Sequence, residues 1–140
     1  MRRRLLGWLL CGALGCSVGF TSSSGRAADR PKVTFVGFQQ LQAGGGRIFV
    51  HLTAAPSRVN SVKGDKLLTF SLADTDIGAR NNRYPLELEN FALPVTRAVL
   101  KVHDADVDVE LQLRHPIELS QHIQSRSDGT VVLEIDLPSE

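Results

Sequence analysis

The sequence is poor in cysteine: its only two, Cys11 and Cys16, both lie within the first 27 residues. Residues 28–140 therefore cannot be held together by disulfides, and they offer no thiolate ligand for zinc. A segment of this length is a normal size for one domain. We expect it to fold on a hydrophobic core alone.

An excess of basic charge is also absent once the N-terminal segment is set aside. Four of the 16 basic residues precede position 28 and none of the 15 acidic ones does, so residues 28–140 carry 12 basic and 15 acidic side chains, a net charge of −3. The sequence therefore lacks the basic footprint of a nucleic-acid-binding protein.

The longest apolar run near the N-terminus is too short to be a structural membrane helix. Leu5–Leu14 follows Arg2-Arg3-Arg4, an arrangement that is typical of an export signal. Gly25 and Ala27 are the small residues that cleavage after Ala27 requires. We predict an export signal over residues 1–27, one domain over residues 28–140 and a periplasmic location.

A lipid anchor is the alternative interpretation of this segment. Ala13-Leu14-Gly15-Cys16 resembles a bacterial lipobox, although its first residue is Ala rather than the usual Leu. Cys16 would then carry lipid, and the Ser/Gly stretch after it would tether an outer-membrane lipoprotein. On this interpretation the lipid is the protein's only contact with a membrane.

Alternation of apolar and polar residues is the dominant pattern, and no window of helical length repeats its apolar residues every 3.6 positions. In Asp106–Arg114 every second residue is apolar, which predicts a strand with one face in solvent. The same pattern predicts four more strands: Lys32–Leu41 with a bulge at Gly37, Arg47–Thr53, Lys66–Leu72 and Thr130–Leu137. Ile117–Gln124 fits either a short strand or a helical turn.

The strands follow one another in an order that occurs twice. Strand, turn, strand, proline, strand, turn, strand describes both halves, with Pro56 and Pro116 at matching places and Asp74–Pro94 as the connector. Neither half can bury its own apolar face, so the two would close a shared core face to face. We predict an all-β fold, a small β-sandwich of two pseudo-symmetric sheets built from two similar half-repeats.

The glycine run Gly44-Gly45-Gly46 raises the question of a phosphate-binding loop. Such a loop needs Lys-Ser/Thr after its last glycine and a helix behind it. Here Arg47 follows, and the next residues alternate as a strand. The run therefore predicts a hairpin turn, since glycine tolerates the positive φ of tight turns.

No group of residues has the pattern of a catalytic or metal site. The four histidines include no pair at the spacing of a zinc hydrolase motif. The acidic residues from Asp104 to Glu110 alternate along one extended face, whereas a calcium loop curls its carboxylates around one ion. No serine lies in a Gly-x-Ser-x-Gly turn. We predict a protein that is not an enzyme and has neither a cofactor nor a metal site.

Two stretches carry a resemblance to a known family. Gly44–Val62 (GGGRIFVHLTAAPSRVNSV) and Lys66–Gly78 (KLLTFSLADTDIG) resemble the AMIN domain, a module of bacterial cell-wall amidases and type IV pilus secretins. The resemblance spans about Lys32–Pro138. It implies a sandwich of two small symmetry-related sheets, an envelope location, and a targeting or peptidoglycan-binding role.

Glycan strands and stem peptides present hydroxyls, amides and carboxylates. Arg guanidinium groups, Asn amides and the flat face of an aromatic ring can bind such groups. The connector concentrates these types in Arg80–Pro85, and loops commonly carry function. The candidate ligand-binding residues are Arg47, Arg80, Asn82, Arg83, Tyr84 and Arg97.

We expect a non-catalytic envelope module that binds peptidoglycan or localises a cell-wall or pilus machine. The alternative is a protein-only scaffold of a type IV pilus or secretin complex, with a secretin or an amidase as its partner.

Overall fold

The computed structural model describes residues 29–140. The predicted export signal and Cys16 lie outside the described residues. Ten strands follow in chain order: β1 (Lys32–Gln40), β2 (Gly46–Leu52), β3 (Val59–Lys63), β4 (Leu67–Leu72), β5 (Asp76–Ile77), β6 (Leu86–Glu87), β7 (Val95–His103), β8 (Asp106–Leu113), β9 (Gln121–Ser125) and β10 (Val131–Leu137). A single 3-10 helix, Arg80–Arg83, lies between β5 and β6.

The strands form two five-stranded sheets. Sheet 1 has the order β5-β1-β2-β10-β9, and sheet 2 has the order β3-β4-β8-β7-β6. Neighbouring strands are antiparallel except β1 and β5, which are parallel. The prediction of an all-β sandwich of two pseudo-symmetric sheets is confirmed.

The two half-repeats exchange hairpins. The first half supplies β1–β4 and the second supplies β7–β10, as the repeated order predicts. The hairpin β1–β2 pairs with β10–β9, while β7–β8 pairs with β4–β3. Each sheet therefore contains one hairpin from each half, rather than each half forming a sheet that closes on the other. This exchange makes both sheets depend on the whole chain from β1 to β10.

The core lies between the sheets and is made mainly of apolar strand residues that alternate inward, to which the connector adds Leu88 and Leu93. Its largest fully buried side chains are Phe70, Ile48, Leu52, Leu72, Leu88, Leu93, Leu111, Leu133 and Ile135. Burying each such side chain contributes about 1.5–3 kcal/mol. Both sheets and this core lie within residues 29–140, so this segment has a hydrophobic core of its own.

The two long sides of the sandwich differ. The connector between the halves places β5 beside β1, β6 beside β7, and the 3-10 helix against both β1 and β7. This side is therefore capped. On the opposite side each sheet ends in a five-residue strand, β3 in sheet 2 and β9 in sheet 1.

The bulge expected at Gly37 lies elsewhere. In the pairing of β1 with β2 the register shifts between Val33 and Phe35, so Thr34 is the additional residue. The position of a bulge depends on the partner strand, which alternation within β1 does not reveal. The shift turns Phe35 outward while Val33 stays buried.

The turns agree with the sequence. Gly44 and Gly45 have φ values of 90° and 78°, and Gly129 has 85°, which are the left-handed conformations that glycine tolerates. Asp104 takes the same region, with φ 54°, in the turn between β7 and β8. The ambiguous stretch Ile117–Gln124 contains the start of a strand, β9, and no helix.

Candidate functional site

An aromatic cluster lies on the outer face of sheet 1. The ring centroids of Phe35 and Phe49 are 5.9 Å apart, those of Phe35 and His51 are 6.0 Å apart, and those of Phe49 and His51 are 5.6 Å apart. The Phe35 side chain is 53% exposed. Phe49 and His51 are half-buried beneath and beside it, so Phe35 is the most exposed apolar side chain of this cluster. We call these three residues the aromatic platform.

Alternation and the bulge together build the platform. In β2, Ile48, Val50 and Leu52 point into the core, so Phe49 and His51 point outward. The bulge in β1 brings Phe35 to the same face, opposite His51. Gly37 lies opposite Phe49, and its missing side chain leaves room for the two phenyl rings.

The strand registers define three outward rows across sheet 1. They are Phe35, His51, Val132 and Gln124; then Gly37, Phe49, Glu134 and His122; then Gln39, Arg47 and Asp136. The aromatic part occupies β1 and β2, and the hydrogen-bonding part occupies β10 and β9. Val132 points outward yet is only 4% exposed, so it forms an apolar floor between the two parts.

A shallow groove of about 220 Å³ runs beside the platform. Its lining residues are Gln39, Arg47, Phe49, His51, Arg126, Val132 and Glu134. The groove thus combines aromatic edges, amide and guanidinium donors and a carboxylate acceptor. Most of the lining side chains are polar, so this is an open polar groove rather than an enclosed apolar ligand pocket.

Arg47 joins the groove to the acidic residues of β10. Its Nε donates to Asp136 Oδ1 at 2.7 Å, and its Nη1 lies 3.1 Å from Glu134 Oε2. The hydrogen bond to the Asp136 carboxylate raises the pKa of the Arg47 guanidinium above its ordinary value, although partial burial opposes the shift. Asp136 also lies 3.2 Å from Nε2 of His122. The paired carboxylates are held as fixed hydrogen-bond acceptors.

The other predicted binding residues lie elsewhere. Arg80, Asn82 and Arg83 belong to the 3-10 helix on the capped side, and Tyr84 follows it with 66% of its surface exposed. Asn82 is buried and its Nδ2 donates to the Val33 carbonyl oxygen at 3.2 Å. This contact holds the connector against β1, which is a structural role for Asn82.

Arg97, the last predicted binding residue, lies on the outer face of sheet 2. Its Nε is 3.2 Å from Glu87 Oε1. The acidic residues of β8 on the same face also have partners, since Lys101 Nζ lies 2.6 Å from Glu110 and the Ser71 hydroxyl donates to Asp108. Among residues 29–140, no three His, Asp or Glu side chains cluster closely enough to hold a metal ion.

Of the six predicted binding residues, the structure places one, Arg47, beside the platform. Sequence reasoning missed Phe35, Phe49, Gln39 and Arg126. The signal for Phe49 was present, because it faces away from Ile48 and Val50. The sequence carries no such signal for Phe35 and Arg126. Phe35 faces outward because of the bulge in β1, and Arg126 reaches the groove because β9 pairs with β10 and β10 pairs with β2.

No model of a known protein family matches the chain, and no curated protein sequence matches it. The resemblance to AMIN domains therefore stays a prediction from the residues that carry it. Within the described part of the chain, no helix is both long and apolar enough to cross a membrane.

Proposed function

We propose that this protein is a non-catalytic module of the bacterial envelope that binds peptidoglycan through the outer face of sheet 1. The observation that carries the proposal is the aromatic platform of Phe35, Phe49 and His51 beside a polar groove. The export-signal pattern and the AMIN resemblance supply the location and the choice of polymer.

The chemistry of the face suits a glycan. The flat apolar face of an aromatic ring packs against the C–H face of a sugar ring. Hydroxyl groups at the edge of that sugar need donors and acceptors within reach, and the adjoining rows offer Gln39, Arg47, Glu134 and Gln124. We expect such a surface to bind an extended strand of sugars that lies across β1, β2 and β10.

The groove also carries positive groups for the acidic parts of the polymer. Arg47 and Arg126 both line it, and guanidinium groups bind carboxylates in a bidentate manner. Arg47 is already paired with Asp136 and Glu134, so Arg126 is the groove cation that we expect to bind a carboxylate of the polymer.

Co-sedimentation with purified sacculi tests the proposal. The 29–140 segment should pellet with sacculi, and Phe49→Ala should weaken binding about tenfold, equivalent to roughly 1.4 kcal/mol, because a stacking surface is lost. Phe35→Ala should behave similarly. Tyr84→Ala is the matched control, since it removes an exposed aromatic ring from the capped side.

Three results would count against the proposal. Failure of the unaltered domain to pellet at low and moderate salt would remove peptidoglycan as the ligand. Loss of binding in Tyr84→Ala but not in Phe49→Ala would move the site to the connector. Co-purification of a secretin or an amidase without sacculus binding would favour the protein-only scaffold.

A further inference from the structure

The two outer strands on the side opposite the connector, β3 and β9, occupy equivalent positions in the two half-repeats. In sheet 2, Lys63 pairs with Leu68, which pairs with Leu111 of β8. In sheet 1, Ile123 pairs with Leu133, which pairs with Val50 of β2. Lys63 and Ile123 are therefore equivalent residues, and both point toward the sandwich interior.

The main-chain groups of these strands alternate between the neighbouring strand and solvent. The bonds Asp136 N–Ser120 O and Arg126 N–Thr130 O flank the β9–β10 pair. Alternation between them directs the N–H and C=O groups of Gln121, Ile123 and Ser125 away from β10. These groups form an edge that can accept one more strand.

The two edges are protected to different degrees. On β3, the inward-pointing Lys63 pairs with Glu118 at 3.0 Å, and an inward charge is a known device against edge-to-edge pairing. On β9, the equivalent residue is Ile123, which is 47% exposed. The five residues of β9 include no Lys, Arg, Asp or Glu and no Pro, so this edge lacks such protection.

We propose that β9 pairs with β9 of a second copy of this chain, antiparallel and centred on Ile123. Ile123 then lies opposite the partner's Ile123, and Gln121 lies opposite the partner's Ser125. His122 lies opposite the partner's Gln124. The sequence Gln-His-Ile-Gln-Ser is complementary to itself in this register. It places an apolar pair in the centre, and since it contains no Lys, Arg, Asp or Glu, no like charges of these residues face each other.

The pairing forms about six main-chain hydrogen bonds, two at each of three residue pairs. The strand contact is smaller than the roughly 1,200 Å² of a standard stable interface, so the association is weak and depends on concentration. A second copy is the favoured occupant because a two-fold axis lets each Ile123 cover the other. The proposal does not depend on peptidoglycan binding.

The dimer joins the two copies of sheet 1 into one continuous sheet. The strand order becomes β2-β10-β9 followed by the partner's β9-β10-β2, with the outer faces on the same side. Five spacings of about 4.8 Å place the two copies of β2, and with them Phe49 and His51, about 24 Å apart. If both platforms bind one polymer, the second contact is intramolecular, and the dimer gains avidity without a new contact.

Sedimentation velocity over a range of concentrations tests the dimer. The 29–140 segment should sediment faster as concentration rises, and Ile123→Lys should remain monomeric at every concentration. Val62→Lys is the matched control, because it adds the same charge at an exposed residue of β3 and should leave the association unchanged. An unaltered domain that stays monomeric to millimolar concentration, or equal loss of association in both variants, would overturn the proposal.

Oxidative cross-linking tests the register. Residues 29–140 contain no cysteine, so Ile123→Cys introduces the only thiol. Across the two-fold axis, two such residues have Cα atoms about 5.5 Å apart, within the range of a disulfide. Ile123→Cys should form a covalent dimer, whereas Gln124→Cys should not, because Gln124 faces the partner's His122. Equal cross-linking at both positions, or none at position 123, would contradict the pairing.

Discussion

The backbone of Gly37 lies beneath the ring of Phe49: a Cβ atom at position 37 would stand 2.6 Å from Cζ of Phe49. The same atom would stand 2.9 Å from Cε1 of Phe35. The two rings therefore fill the volume in which a side chain at position 37 would lie. Gly37 acts as the floor of the aromatic platform.

Gly37→Ala should damage binding more than folding. The backbone of Gly37 has no positive φ, and the added methyl meets the far ends of two side chains, of which Phe35 is half exposed. The rings can therefore move aside at small cost, but the surface they present changes. We expect several-fold weaker sacculus binding with a thermal midpoint close to that of the unaltered domain. A large drop in thermal midpoint would show that the rings are fixed in place.

Gly45→Ala should destabilise the domain more than Gly129→Ala. Both glycines have positive φ, which costs a non-glycine residue about 1–2 kcal/mol. At Gly45 the added Cβ would also overlap the Leu137 carbonyl oxygen and approach the Ser139 nitrogen to 3.1 Å, whereas at Gly129 it meets nothing within 4 Å. Urea unfolding of both variants measures the difference. Equal free energies of unfolding would contradict the close approach of the β1–β2 turn to the C-terminal segment.

Asn82→Ala tests whether this predicted binding residue has a structural role. The substitution removes one of two donors to Val33 O, which keeps its hydrogen bond from the Gly78 amide. The expected loss of stability is about 0.5–1.5 kcal/mol, the net contribution of one hydrogen bond, measured by denaturant unfolding, with sacculus binding unchanged for the folded fraction. Arg80→Ala, at an exposed residue of the same 3-10 helix, should leave both properties unaltered.

The sequence predicts the strands and turns because their signals are local. Alternation in Asp106–Arg114 and the turn residues around Gly45 and Gly129 each act over a few positions. The exchange of hairpins is not local. The apolar faces of β2 and β8 are similar, so alternation leaves open whether β4 pairs with β2 of its own half or with β8 of the other half. The registers decide this in favour of β8.

The candidate site shows the same limit. Phe49 and His51 can be placed on the outer face from β2 alone, because Ile48 and Val50 require the inner one. Phe35 needs the bulge at Thr34, and Glu134 and Asp136 reach Arg47 only through the pairing of β10 with β2. Arg, Asn and Tyr are concentrated in Arg80–Tyr84, and this composition predicted a binding loop. In the structure the stretch belongs to the connector that covers one side of the sandwich.

Arg47→Lys should weaken both the surface ion pairs and ligand binding. One guanidinium reaches Asp136 and Glu134 through two different nitrogens, which a single ammonium cannot reproduce in the same geometry. We expect a small decrease in thermal midpoint at low ionic strength that disappears at high salt, since salt screens exposed charges. Arg83→Lys on the capped side is the control and should show neither effect. A decrease that persists at high salt would point to lost packing of the arginine stem instead.

The β9–β10 turn should make stability depend on pH through Asp128. Its Oδ1 accepts hydrogen bonds from the Thr130 hydroxyl at 2.6 Å and from the Thr130 amide at 2.9 Å. These bonds, the hydroxyl first, hold the pKa of Asp128 below its ordinary value. A carboxyl whose folded-state pKa is depressed stabilises the fold above its unfolded value, near pH 3.9, and loses that contribution as pH falls through the folded value.

Asp128→Asn should therefore have a lower thermal midpoint than the unaltered domain at neutral pH, and the difference should shrink as the pH falls below about 4. Thermal unfolding followed by circular dichroism across this range measures it. Thr130→Val keeps the carboxylate but removes the hydroxyl donor, so the unaltered domain and this variant should also converge in acid. A difference that stays constant or grows with acidity would mean that the charge of Asp128 does not stabilise the turn.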